Sequence, residues 1–370
     1  MIAKFGMVGR IPVSIPDAQL SRRSSRVTGA QVAREVGVDP AVVSKLLKGD
    51  PNFRVSAETR ARVMEAVERL RYRPNFAAQR LRSTRVGAVG LIIPSFSNPA
   101  FAEIVHGAES MSHDKGVALF VASMCEASSA VKLVEDLVSS ERIDGLLVAG
   151  GDTRETHDIN EFLSDKDIPY LFLNRKTNTR MRSLFLDDEY AIRLLVDHLV
   201  GLGHSNIYNI AGMDTMETGR RRQAGFQVAM KRSRLPFRKS LIAEGNYTIA
   251  GGQEAFFKVM ARDPKPTALV VSEFVMGIGT ISAARDMGLL VPDDLSVAVL
   301  NNLEIASYLN PMLTTVGLQL RHLGAEGLEL LLSRSPDEEI NLTVSMRAQL
   351  FPRESTSPPQ SLRKTGRHAR

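Results

Sequence analysis

Apolar residues follow two rhythms along the chain. Between residues 27 and 72 they recur every three or four positions, the spacing of helices with one buried face. Ala30–Val36 predicts a short helix, which Gly37 breaks. Asp39 suits an N-cap because its carboxylate can accept the free amides of the next turn, and Pro40 suits the first helical position. Val42, Val43, Leu46 and Leu47 give that second helix an apolar stripe, and Gly49 ends it. Ser56 caps a third, with Glu58 in its first turn, where a negative charge suits the helix dipole. Val63, Val67 and Leu70 share one face of it, and Pro74 stops it.

From Val86 the rhythm changes. Short aliphatic runs lie at 86–93, 117–121, 145–148, 170–173, 184–186, 207–210, 268–271 and 297–300. Amphipathic stretches, such as 101–115, 130–140, 188–202, 218–231, 249–261 and 276–287, separate most of them. Continuous apolar strands alternating with helices predict parallel sheets covered on both faces. So many units exceed one doubly wound sheet, so the sequence predicts two α/β lobes behind an all-helical head.

Charge adds to this division. Residues 1–85 hold 17 Lys and Arg against 7 Asp and Glu, while the whole chain carries a net charge of only +6. A basic head on an acidic body points to a polyanionic partner, with a merely solvated arm as the plain alternative. One cysteine in 370 residues excludes an intramolecular disulfide framework and the thiolate-rich zinc modules. No apolar run approaches a bilayer span, and the first twenty residues, broken by Gly and Pro, lack the apolar core of a secretory signal. A cytoplasmic location is expected.

Ala33, Gly37 and Val43 have the spacing of a helix-turn-helix: a small residue for close approach, a glycine for the turn and a β-branched wedge. Such a pair lays its second helix in a DNA major groove. Pro40, Ala41 and Lys45 lie toward the N-terminal half of that helix. Lys45 can approach guanine O6 and N7, and Ala41 a thymine methyl. Ser44 and Thr28 suit phosphates, which position a protein without reading sequence. An ordinary three-helix bundle would satisfy the same three positions.

The blocks VTGAQVAREVGVDPAVVSKLLKG, VSAETRARVMEAVERLRYRPNFAAQRLR and VGAVGLIIP resemble the start of a lactose-repressor (LacI/GalR) family transcription regulator. The resemblance continues through SNPAFAEI, ERIDGLLV, VDHLVGLGHSNI, RRRQAGF, PTALVV, LLVPDDLSV and NPMLTTV, roughly nine-tenths of the chain. It implies a helix-turn-helix head and a two-lobed, periplasmic-binding-protein-like α/β core. It also implies a hinge helix that orders on operator DNA, with Leu81 wedged into the minor groove. A helix that short is marginal alone, and an apolar wedge bends the duplex at a cost of a few kcal/mol. The implied DNA contacts are Thr28, Pro40, Ala41, Ser44, Lys45, Ser56, Tyr72, Asn75, Ala78 and Leu81.

The same resemblance implies an effector between the lobes, touching Phe101, Asn174, Thr218, Arg222, Tyr247, Glu273 and Asn301. Family members often carry Asp, Asn-Asp and Asp-Asp where this chain has Asn174, Glu273-Phe274 and Asn301-Asn302. Fewer carboxylates beside Arg222 suggest a sugar acid or phosphorylated sugar held by that arginine. Glu273 opposes this, and a neutral polyol, a flat ring stacked on Phe101 and Tyr247, or no effector at all stay open. Enzyme motifs are weak: there is no Gly-x-Ser-x-Gly elbow, no phosphate-binding Gly-x4-Gly-Lys loop and no His-x3-His pair, and Cys125 stands alone.

The expected domains are a flexible basic arm (1–25), the helix-turn-helix (26–73), a hinge (74–85), the core (86–352) and a disordered basic tail (353–370). Within the core, one lobe takes about 86–187 and 315–341, and the other about 188–314 and 342–352. The expected function is a nucleoid-associated homodimeric repressor, without a cofactor or metal, that reads a pseudo-palindromic operator and responds to a carbohydrate-type metabolite. A sugar-binding module or carbohydrate-processing enzyme with an accessory head is the alternative.

Overall fold

A computed structural model describes residues 27–48, 53–72, 86–124, 129–140, 142–150, 153–166, 168–175, 182–334, 338–344 and 346–365. The chain divides into two compact units, Met1–Arg85 and Val86–Arg370. The arm, the hinge and Cys125 lie outside the described residues.

The first unit contains α1 (Gly29–Val36), α2 (Pro40–Lys48) and α3 (Ala57–Arg69). Thr28 caps α1 in a reciprocal box: its hydroxyl accepts from Gln31 N at 3.3 Å, and Gln31 Oε1 accepts from Thr28 N at 2.7 Å. Gly37 ends α1 at φ 71°, a left-handed conformation that favours glycine. Asp39 Oδ1 accepts from Ala41 N at 2.7 Å, opening α2 as its sequence predicts. Val32, Ala33, Val36, Val43, Leu46, Val63 and Ala66 close a small core.

In the second unit, β1 (Ala88–Ile93), α4 (Pro99–Lys115), β2 (Ala118–Ser123), α5 (Ala130–Ser139), β3 (Leu146–Ala149), α6 (Thr153–Ser164), β4 (Tyr170–Leu173) and β5 (Ser183–Phe185) come first. Then follow α7 (Asp188–Gly201), β6 (Ile207–Ala211), α8 (Glu217–Arg232), β7 (Ile242–Glu244), α9 (Ile249–Met260), β8 (Ala268–Val271), α10 (Phe274–Asp286), β9 (Ser296–Leu300) and β10 (Thr314–Gly317). The last described elements are α11 (Leu320–Ser333), β11 (Asn341–Thr343), β12 (Gln349–Phe351) and α12 (Gln360–Thr365).

The strands form two six-stranded sheets, ordered β11-β5-β4-β3-β1-β2 and β12-β10-β9-β8-β6-β7. All described pairings are parallel except β10 with β12. Both faces of the first sheet are covered. Val89, Leu91 and Ile93 join the cluster containing Ile104 of α4 and Leu323 of α11, whereas Ile92 joins Val134 of α5 and Ile159 of α6. Alternation along β1 therefore feeds two cores, which is why it reads as an unbroken apolar run. Helices α4 and α11 touch backbone to backbone: a Cβ on Gly107 would strike the Arg321 carbonyl, and one on Gly324 the Ile104 carbonyl.

Two expected boundaries are corrected. β10 pairs with β9, so residues 315–317 belong to the second lobe, and β11 pairs with β5, so residues 342–343 belong to the first. The later crossings thus follow Gly317 and Thr343; helix α11, not β10, begins the return. The predicted disordered tail is also corrected for 353–365. Ser355 has no exposed surface, its Oγ donates to Val297 O at 2.6 Å, and it accepts from Thr314 N at 2.8 Å. Beyond it, α12 carries Arg363, which pairs with Asp293 at 2.6 Å. A polar strap can be ordered when its hydroxyls complete backbone hydrogen bonds of a buried sheet.

Candidate nucleic-acid interface and effector cleft

On the head, Pro40, Ala41 and Lys45 are exposed along α2, while Val43 and Leu46 on its other face are buried. Ser44 is half-buried between these faces. Lys45 Nζ lies 5.3 Å from the centre of the Phe53 ring, which supports the ammonium with its electron-rich face. Thr28 and Ser56 both work as N-caps, Ser56 accepting from Thr59 N at 3.2 Å. Tyr72 sets its hydroxyl against Gly29 at the start of α1. Asn75, Ala78 and Leu81 lie outside the described residues.

In the core, the candidates cluster at strand ends. Asn174 follows β4, Asn301 follows β9, and Tyr247 lies in the loop after β7. All three have positive φ, at 54°, 74° and 59°, among only five such non-glycine residues described. Backbone strain of this kind collects where a fold presents side chains to a ligand, and the carboxyl ends of parallel strands are where α/β sheets bind ligands.

Arg222, on α8, is 4% exposed. Its Nε donates to Asp188 Oδ1 at 2.7 Å, and its Nη1 to Ser272 O at 2.8 Å and Glu273 Oε2 at 3.3 Å. Glu273 also receives Asn301 Nδ2 on both oxygens, at 3.1 and 3.0 Å, and caps α10 by accepting from Phe274 N at 3.0 Å. Asn301 Oδ1, buried, has no hydrogen-bond partner among the described residues. Burial by itself would loosen the Arg222 proton, but the pull of its neighbours, Asp188 first, outweighs it and raises the pKa. Burial pushes the Tyr247 phenol above its usual range, against the pull of Arg222 and Thr218, so it stays neutral.

The structure joins Arg222, Glu273 and Asn301 directly and sets Thr218 and Tyr247 beside them. Phe101, in the first turn of α4, rests on the first lobe's core instead. Sequence reasoning missed Arg221, Asp188 and Glu217. Arg221 donates to Leu186 O at 2.7 Å and Asn174 Oδ1 at 3.2 Å, and pairs with Asp188 Oδ2 and Glu217 Oε1, each at 2.8 Å. Asp188, with no exposed surface, therefore holds both arginines. The signal was present in the neighbouring runs Asp187-Asp188-Glu189 and Arg220-Arg221-Arg222, but either run also reads as an ordinary solvated helix end.

Among the described residues no group of three or more His, Cys, Asp or Glu could hold a metal, and no helix is long and apolar enough to cross a membrane. Residues 30–75 match the model for bacterial regulatory proteins of the lacI family, and 196–356 that for a periplasmic binding protein-like domain. Catabolite control protein A of Priestia megaterium is 32% identical over 320 residues, 86% of this chain and 95% of its own. The chain belongs to the lacI family. The HTH-type transcriptional repressor PurR of Pasteurella multocida is 30% identical, covering 88% of this chain and 97% of its own. The lac repressor dimer bound to operator and the anti-inducer ONPF superposes with a TM-score of 0.75 at 27% identity, covering 90% and 99%. This lacI-family protein is a DNA-binding transcriptional repressor and not an enzyme.

Proposed function

We propose that the protein reads a pseudo-palindromic operator as a homodimer, and that a small hydroxylated metabolite of the carbohydrate type, bound between the lobes, sets its operator affinity. Support for the DNA half comes from the split surface of α2, with Pro40, Ala41 and Lys45 exposed over a buried Val43–Leu46 face. In this reading Lys45 and Ala41 meet base edges, and Thr28, Ser44, Ser56 and Tyr72 meet phosphates. Asn75, Ala78 and Leu81 belong to the hinge. Self-association is supported by the likeness to the lac repressor dimer.

The observation that carries the effector half is the set of strained residues at the strand ends, Asn174, Tyr247 and Asn301, gathered at one buried polar cluster. The unpaired Asn301 Oδ1 is an acceptor suited to a hydroxyl or N–H donor. An acidic effector loses its support, because Arg222 is already held by Asp188 and Glu273. Phe101 belongs to the site only as an apolar wall from the first lobe.

The test has two steps. Selection from a random duplex pool should yield a two-fold symmetric consensus, and metabolites should then be screened for changes in its binding. Loss of preference over scrambled competitor would refute the DNA half. A consensus that no neutral hydroxylated metabolite affects would refute the effector half alone.

A further inference from the structure

We infer that Glu273 is the residue that fixes the charge of the effector: it places a carboxylate at Nη1 of Arg222, beside Asn301, and so turns anionic ligands away. The inference rests on the effector reading above and concerns the same cleft. Glu273 is 4% exposed, so water screens its charge little. Its carboxylate is held by three groups, the Asn301 amide, the Phe274 backbone N–H and the Arg222 guanidinium. It is thus anchored in place as a resident anion at the arginine.

Each arginine of the bonded cluster is already paired with two carboxylates. Arg221 is taken by Asp188 and Glu217, and Arg222 by Asp188 and Glu273. Within this bonded set two guanidiniums face three carboxylates, so its net charge is −1. Arg175, buried directly after Asn174, has interactions of its own. A phosphate or carboxylate drawn to Arg222 would meet the Glu273 carboxylate already held at its Nη1. A neutral ligand has no such competitor and can still engage Asn301 Oδ1. Asn301 and Asn174 supply polarity without adding charge.

Inorganic phosphate is the probe, titrated calorimetrically into the full-length wild type and into the E273Q and E273N variants at fixed ionic strength. Phosphate binding to the basic head is common to all three and cancels in the comparison. Removing the carboxylate should release one edge of Arg222 and tighten phosphate binding at least tenfold in either variant. Either variant's unfolding curve shows whether it remains folded, and one folded variant suffices.

The wild type gives a second readout in matched pairs, glucose with glucose 6-phosphate and ribose with ribose 5-phosphate. The neutral member should bind at least tenfold more tightly than its phosphorylated partner. Equal phosphate affinity in wild type and variants, or a phosphorylated sugar that outbinds its parent, would overturn the inference. If neither member of either pair binds, the effector reading loses its support, while the phosphate comparison still decides what Glu273 does.

Discussion

The head and the cleft solve opposite problems with similar residues. On α2, Pro40, Ala41 and Lys45 stand exposed, and the apolar face beneath them is what fixes their direction. In the cleft the charged groups are buried and already bonded to one another, with Asp188 gripping two arginines. A polyanion brings its own charge, so its reader can wait in water with its cations open. A small ligand must enter a site that stays folded without it, so the site's charges must be satisfied internally first. Charge therefore marks a binding surface on the head, whereas in the core the same residue types are bonded to one another.

Asp188→Ala puts this contrast to its hardest test. It leaves the Arg221 and Arg222 guanidiniums buried beside each other without their shared carboxylate, and should destabilise the core by about 3–5 kcal/mol. Urea unfolding measures it. A loss under about 1 kcal/mol, the scale of an exposed pair, would show that water reaches this cluster and that the contrast is false.

Lys45→Ala should behave in the reverse way. The side chain is exposed, so folding should be untouched, while discrimination at one operator base pair relaxes by about 1–3 kcal/mol. Quantitative binding to a set of single-base operator variants gives the number. A uniform loss across every sequence would reassign Lys45 to the phosphates, and a drop in thermal midpoint would make its contact with Phe53 structural.

Thr28→Ala sharpens the comparison from the head's own side. If the capping box is its main work, the variant should lose about 1 kcal/mol of stability, and its DNA affinity should fall only as far as folding does. Thr28→Asp keeps a cap and adds a charge that phosphate would repel. Weak DNA binding by a fully stable Thr28→Asp protein would establish the phosphate contact.

What could be read from sequence follows the same division. The eight aliphatic runs all became strands, and the three head helices lie where their caps and stripes put them. These are local signals. β7, β10, β11 and β12 escaped notice because three or four residues such as Thr314–Gly317 are too short and polar to show a period, though Thr314 and Thr315 are fully buried by long-range pairing. Helix α6 was hidden because its apolar row, Ile159, Phe162 and Leu163, is confined to its C-terminal half, and the strap around Ser355 because its order comes from hydrogen bonds to residues 41 and 58 positions away. Arg222 was legible through its neighbours in sequence, but its partners were not, since Asp188 and Glu273 lie 34 and 51 positions away. Only the fold shows that the arginine is already occupied.

The mildest effect concerns pH, and it tests whether satisfied burial extends from the cleft to the C-terminal strap. His204 is 3% exposed, with Nδ1 3.0 Å from Thr267 Oγ1 and Nε2 2.8 Å from Ser357 O. His198 Nε2 lies 2.9 Å from Thr356 Oγ1 on the same strap. Burial pulls both imidazoles below their ordinary value of 6.5, so both are neutral in the folded protein at pH 7. The unfolded chain takes up these protons first as pH falls. Their contribution to stability is therefore complete above pH 6.5 and is lost as pH drops through the depressed folded values, with a slope of at most about two protons. Urea midpoints of wild type between pH 7.5 and 5 should fall on the acid side, and a His198→Gln, His204→Gln double variant should show a flatter profile. An identical slope in the double variant would assign the acid sensitivity to carboxylates and leave the strap held by its hydroxyls alone.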